Sequence, residues 1–143
     1  MKLKVQHVFE ASPVIQAIAN ENRPMPQVGK FRLARMLSKL WPEHQVVVAR
    51  RDAMIMAYDH RAQRVDDNGA LLFNPDGSPL IADQSSVPPD KAQEFLAAWA
   101  EIGAEEIEVA VEPIPLSCLD MGDNADGSIA AYELVLLGDL VTE

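Results

Sequence analysis

A single cysteine, Cys118, stands in a chain of 143 residues. It cannot close an internal disulfide and no Cys/His spacing of the zinc type accompanies it, so the fold must rest on packing alone, as expected in a reducing compartment. Long apolar runs are missing too. No window approaches the ~20 apolar residues of a membrane span, and the opening MKLKVQHVFEASP has neither the apolar core nor the small-residue cleavage site of a signal peptide. The expectation is a soluble protein that stays where it is made. Basic residues nearly vanish after residue 64, where Lys91 alone remains.

The motifs of common chemistries are equally absent. His7, His44 and His60 share no ligand spacing, and neither His-Glu-x-x-His nor Gly-x-Ser-x-Gly occurs. Gly29-Lys30 belongs to no phosphate loop, and Cys118, near Ser117 and Asp120, has no base in sequence to activate it. The sequence therefore points to no enzyme and to no cofactor.

What is present is charge polarity. Residues 1–64 hold 11 of the 12 Lys and Arg against 5 of the 22 Asp and Glu, a net of +6, which leaves −16 on residues 65–143. Such asymmetry speaks to partners or to mutual neutralisation within one domain. A chain of this length buries about 68–70% of its unfolded surface, enough for one domain with a real core.

Period-two alternation over residues 2–9 predicts a strand with Leu3, Val5, His7 and Phe9 on one face. Ser12 then offers a cap and Pro13 a first helical position for a short helix over 14–19. From Val28 to about Arg64, apolar residues at three- and four-residue steps, Phe31, Leu33, Leu37, Leu40, Trp41, Val47, Val48, Ile55 and Tyr58, predict a long helical element that Pro42 kinks or divides. Asp66-Asp67-Asn68-Gly69 and Asn74-Pro75-Asp76-Gly77-Ser78 bracket Ala70–Phe73, and with Pro79–Ala82 they predict a β-hairpin insert over 66–83. A helix from Pro89 to Gly103 follows, with Ala92, Phe95, Leu96, Trp99 and Ile102 as its stripe. Ile107, Val109 and Val111 alternate with Glu106, Glu108 and Glu112 as a strand, and Ser128 can cap a last helix over 129–137 that ends at Gly138, although its apolar run would also serve as a strand. No internal repeat stands out. The reading is α+β: a long helical hairpin carrying a small antiparallel sheet, with Lys2 and Lys4 paired across from the glutamates of the later strand.

Two constellations invite a functional reading. Arg32, Arg35 and Lys39 lie along one helical face, with Arg50 and Arg51 further on, and the acidic counterpart is Glu106, Glu108 and Glu112. A pI near 4.6 and the lack of alternating aromatics argue against nucleic acid as the partner of that basic stripe. Gly122 to Glu133 has the spacing of a calcium loop, with Asn124, Asp126 and Glu133 as ligands, but Gly122 stands where the first Asp anchor belongs.

Lys30-Phe-Arg-Leu-Ala-Arg-Met-Leu-Ser-Lys-Leu-Trp-Pro-Glu-His, continuing to Arg50-Arg51-Asp52, resembles the long-helix signature of small bacteriophage and prophage proteins of unknown function. These also tend to end in a strand like Ile107–Glu112 followed by Pro-Ile-Pro-Leu-Ser-Cys-Leu. The order of elements matches over most of the chain, and the resemblance carries no catalytic residues. It implies a phage-encoded protein, and together with the missing chemistry and the charge polarity it leads to the expectation of a virion protein of the tail or head-tail region, made in the host cytoplasm. Its expected partners are phage structural proteins and further copies of itself. The alternatives are an accessory protein that binds a host or phage factor through its acidic half, and a calcium-binding module.

Overall fold

The computed structural model describes residues 1–21, 23–119 and 129–143. The fold is α+β, and the chain divides into two compact units, Met1–Val48 with Glu101–Glu143, and Ala49–Ala100.

In the first unit the strand expected over 2–9 lasts only through β1, Lys2–Lys4. Helix α1, Val5–Asn20, takes over. The alternation over 2–9 is also the start of a longer three- and four-residue period, since Val5, Val8, Ala11, Ser12, Ile15 and Ile18 all fall on the buried face, and the longer pattern governs because it buries more apolar surface. Ser12 and Pro13 are accordingly inside this helix rather than at its start. The buried Ser12 hydroxyl donates to the Val8 carbonyl at 2.6 Å, the back-bond a helical serine makes when no water is available.

Helix α2, Gln27–Met56, runs unbroken through Pro42, so the division allowed for there does not occur. Pro42 faces solvent, where water can satisfy the Ser38 carbonyl that it cannot serve. The buried stripe of α2 is Gly29, Leu33, Met36, Leu40, His44 and Val47, and it shares a core with Val8, Ala11, Ile15 and Ile18 of α1. Gly29 is required: a Cβ there would lie 2.0 Å from the Cys118 carbonyl oxygen, so the first turn of α2 touches the backbone of the C-terminal part. Phe31, expected inside, is 68% exposed.

β1 pairs antiparallel with β2, Glu106–Glu108, with Lys2 opposite Glu108 and Lys4 opposite Glu106. The opposed charges expected across this sheet are present, and Glu108 also accepts the N-terminal ammonium at 2.9 Å. The strand expected to continue to 112 stops at Glu108. After it Val109 and Val111 are buried, a tight turn centred on Ala110 joins them through a 2.8 Å bond from the Val111 amide to the Val109 carbonyl, and the chain reaches β3, Ile114–Pro115, which pairs in parallel with β4, Val141–Thr142. Helix α4, Ala131–Leu137, ends at Gly138 as expected, with φ of 50° there. Its start is two residues later than expected, and the Ser128 cap assigned to it lies outside the described residues. His7 of α1 donates from Nε2 to the Leu137 carbonyl at 2.9 Å, tying the two helices.

The second unit holds the end of α2 and most of α3, Ala92–Ala104, which a 3₁₀ turn at Pro89–Lys91 introduces near the predicted start. The helix expected to reach Arg64 stops at Met56, because Asp59 adopts φ of 48°, a left-handed conformation that ends helices and that aspartate tolerates. Between the helices, segments 62–66, 70–74 and 78–82 pair in turn through bridges at Gln63–Ile81, Val65–Leu71 and Phe73–Pro79. The amide of Arg64 donates to Leu80, that of Leu80 to Leu72, and that of Leu72 to Arg64, a closed ring of three bonds at 2.7, 3.1 and 2.9 Å. The predicted hairpin is thus two sides of a three-sided figure. Its equal spacing, residues 64, 72 and 80 with Gly69 and Gly77 both at positive φ, is a short internal repeat that the sequence reading missed. Asp66 and Asp76 close the turns, each carboxylate accepting backbone amides two residues on.

Candidate functional site: a cationic groove

Arg32, Arg35 and Lys39 each precede a buried residue of α2, namely Leu33, Met36 and Leu40. One residue is about 100° around a helix, so the same packing that buries the aliphatic stripe turns the three cations onto the adjoining flank. They line a groove of about 500 Å³ whose opposite wall is the segment from Ala110 to Ile114, with Val28 and Phe31 at one end. That wall is held from both sides. Met1 and Val109 exchange hydrogen bonds at 2.8 and 2.9 Å, and Ile114 sits opposite Val141 in the parallel pair. Val111 and Ile114 point into the core, while Ala110 and Glu112 face solvent.

The electrostatics of the groove are unbalanced. Among the described residues no carboxylate forms an ion pair with Arg32, Arg35 or Lys39, although Glu112 stands on the opposite wall. The backbone amides and carbonyls of Ala110 and Glu112 take no part in the sheets or in other backbone bonds among the described residues, while the Val111 amide donates to the Val109 carbonyl at 2.8 Å in a tight turn centred on Ala110. The groove therefore offers three donors of fixed positive charge over an apolar floor.

The structure brings together four of the expected interaction residues, Arg32, Arg35, Lys39 and Glu112. Glu106 and Glu108 lie in β2 across from the lysines of β1, and Arg50 and Arg51 belong to the second unit. Of the expected calcium ligands, Asn124 and Asp126 fall outside the described residues. The third, Glu133, is buried and accepts from Arg23 Nη1 at 2.6 Å and from the Ala130 amide at 2.9 Å. The hydrogen bond from Arg23, aided by the Ala130 amide, holds the Glu133 carboxyl below its usual range against the effect of burial. Among the described residues no group of three or more His, Cys, Asp and Glu is placed to hold a metal ion.

Sequence reasoning missed two features of the groove. Phe31 fits the helical stripe by spacing, but a stripe wider than the available core leaves its edge outside. The turn at Ala110 is hidden because it falls inside the alternation of Ile107, Val109 and Val111, with no glycine, asparagine or aspartate to mark it. Apart from the groove, His44 is stacked between Phe9 and Trp41 with centroids 5.6 and 4.9 Å away, and its buried Nδ1 has no hydrogen-bond partner among the described residues.

Comparison with known proteins returned no matching family model, no matching curated protein and no matching solved structure.

Proposed function

We propose that the protein is a structural or assembly component of a tailed-phage particle, located in the tail or head-tail region, that works in several copies by docking onto a larger protein partner. The observation that carries this reading is the groove. Three cations that pair with no carboxylate among the described residues, over an apolar floor, form a surface built for recognition, since charge opposite a matching partner gives specificity and register. The resemblance of residues 30–52 to small phage proteins supports the location, and the polarity of the chain, +6 against −16, supports contact with unlike surfaces.

The test is quantitative mass spectrometry of purified particles from cells that express the chain. The protein is expected at a fixed, stoichiometric ratio to the particle's major proteins. Recovery only from infected-cell lysate, bound to a factor that is not in the particle, would replace this reading with that of an accessory protein.

A further inference from the structure

We infer that Asn68 is a site of covalent modification by water: its carboxamide cyclises onto the Gly69 nitrogen and opens to isoaspartate, which loosens the turn between residues 64 and 72. The inference stands apart from the docking role proposed above and concerns the second unit alone.

Three observations converge on this turn. The first is the order of residues. Asparagine is among the chemically labile side chains, and its carboxamide reaches the next backbone nitrogen most readily where no side chain crowds that nitrogen, as at Gly69. A Cβ built on Gly69 would meet nothing within 4 Å, so the surrounding chain leaves the space open as well. The second is exposure. Asn68 and Gly69 both face water, and the Asn68 carboxamide takes no hydrogen bond among the described residues. The third is the hold on the attacking nitrogen. The Gly69 amide donates to the Asp66 carbonyl at 3.0 Å, in a unit ordered by surface backbone bonds rather than by buried side chains. Such bonds open locally at low free energy.

The neighbouring turn and the other described asparagines show what the reaction requires. Asp76 stands before Gly77 as Asn68 stands before Gly69, at the spacing that separates Leu72 from Leu80. Its group is a carboxylate to which the Ser78 hydroxyl and amide both donate, so it stays ionised and has no leaving group. Asn74 precedes Pro75, whose nitrogen has no proton to give up. Asn20 precedes Glu21, whose side chain crowds the amide and whose amide is bonded to the Ala17 carbonyl at 3.0 Å.

The step balances with water as the single co-reactant. Hydroxide takes the Gly69 amide proton, the nitrogen bonds to Asn68 Cγ, and the Cγ–Nδ2 bond breaks. Ammonia leaves with a proton from water, which restores the hydroxide. The cyclic imide then adds one water. Addition at the former main-chain carbonyl breaks its bond to the Gly69 nitrogen and gives isoaspartate, whereas addition at Cγ gives aspartate. Nothing is oxidised or reduced. In isoaspartate the main chain runs through the side-chain carbons and is longer by a methylene. Asp66 Oδ1 accepts the amides of Asn68 and Ala70, both at 2.9 Å, and these flank the altered link. That oxygen cannot keep both once their spacing changes. The next bonds along are Asp66 to Ala70 and then Leu72 to Arg64, a member of the ring.

The test keeps the full chain in warm, mildly alkaline buffer and samples it over days. Trypsin cuts after Arg64 and Lys91 and releases the turn in one peptide. Fragmentation mass spectrometry is expected to show the mass gain of an amide-to-acid exchange at Asn68, at least about tenfold faster than at Asn20 or Asn74, neither of which precedes glycine. Isoaspartate should exceed aspartate in the product, and the rate should rise with pH because the attacker is the deprotonated amide. Hydrogen exchange at the Leu72 amide should be faster in the aged chain than in the fresh one, while Asn68→Ser, aged alike, keeps its protection. Should Asn68→Ser not fold, fresh and aged samples of the parent chain carry the comparison.

The inference falls if Asn68 in the folded chain converts no faster than Asn20, or if the product is aspartate alone, which would mean direct hydrolysis of the side chain. It falls as well if conversion leaves Leu72 protection unmoved, or if Asn68→Ser loses protection on ageing to the same extent. Particle composition has no bearing on these outcomes, so this inference and the docking reading fail separately.

Discussion

The two units are held by different forces. In Met1–Val48 with Glu101–Glu143, aliphatic side chains from α1, α2, α4 and the chain after β2 are removed from water almost completely, Val8, Leu40, Leu119 and Leu137 among them. In Ala49–Ala100, Phe95 is the single buried hydrophobic side chain among the described residues, while Val65, Leu71, Phe73, Ile81 and Leu96 are each about half exposed. That unit is ordered by backbone bonds: a ring of three around Arg64, Leu72 and Leu80, and two turns closed by aspartates. Apolar burial contributes about 25 cal/mol for each Å², whereas a backbone hydrogen bond nets only about 0.5–1.5 kcal/mol because water competes for it. The same chain thus contains a tightly packed region and a region whose amides should open at lower free energy.

The largest effects should therefore lie in the first unit. Leu40 is fully buried in α2, and Leu40→Ala is expected to cost about 2–5 kcal/mol by lost transfer and the cavity left behind. Chemical denaturation followed by tryptophan fluorescence measures it. A loss below about 1 kcal/mol would mean that the packing is loose and that the contrast between the units is wrong.

Next in size is the Arg23–Glu133 pair, whose side chains are 15% and 4% exposed. Removing one partner of such a pair costs at most about 3–5 kcal/mol, and Glu133→Gln should fall below that, because Glu21 keeps Arg23 paired at 2.6 Å. The pH dependence gives the sharper reading. The folded state lowers the carboxyl pKa from 4.5, so its contribution is complete above that value and is lost as pH falls through the lower folded value. Wild type should lose stability in that acid window, and Glu133→Gln should lose less. Equal acid slopes in the two proteins would show that the pair is not formed.

A smaller effect occupies a different window. Burial lowers the pKa of His44 from 6.5, opposed by a hydrogen bond to the Val8 backbone. The neutral ring is the form the fold accepts, so this stability is fully present above about pH 6.5 and declines as pH drops towards the folded value. Replacing the ring by His44→Phe keeps the stack with Phe9 and Trp41 and should remove this decline, which lies above the carboxylate window and can be separated from it. Persistence of the decline in the variant would assign it to another group.

Part of the first unit was legible in the sequence: α2 is long enough for its period to show, and the opposed faces of Lys2 and Lys4 and of the later glutamates point to their pairing, but the register with Glu108 and Glu106 is not in the spacing, and the apolar run of the seven-residue α4 fits a strand as well as a helix. The failures have physical causes. Residues 2–9 satisfy both periods, and only the buried area of Ile15 and Ile18 further along decides between them. Residues 57–65 are apolar at helical steps, but the turn at Asp59 redirects them into the three-sided figure. The groove was half legible. Its cations could be placed on one flank of α2, but the wall opposite them comes from residues 110–114, and no local pattern brings segments so far apart in sequence together.

The smallest expected effect tests the comparison most directly. Phe73 has the same type of side chain that contributes several kcal/mol in a core, yet it is 58% exposed on the segment opposite Pro79. If the second unit is ordered by its backbone ring, Phe73→Ala removes little that water did not already reach, and its stability change should stay within about 0.5 kcal/mol. Hydrogen exchange at the Leu72 and Leu80 amides reads the ring itself, and their protection should be unaltered in the variant. A cost above about 2 kcal/mol, in the range of a core phenylalanine, would mean that this side chain is covered in solution. The apolar positions Val65, Leu71 and Ile81 would then have to be counted as a second packed core, and the distinction between a region held by burial and one held by turns would no longer hold.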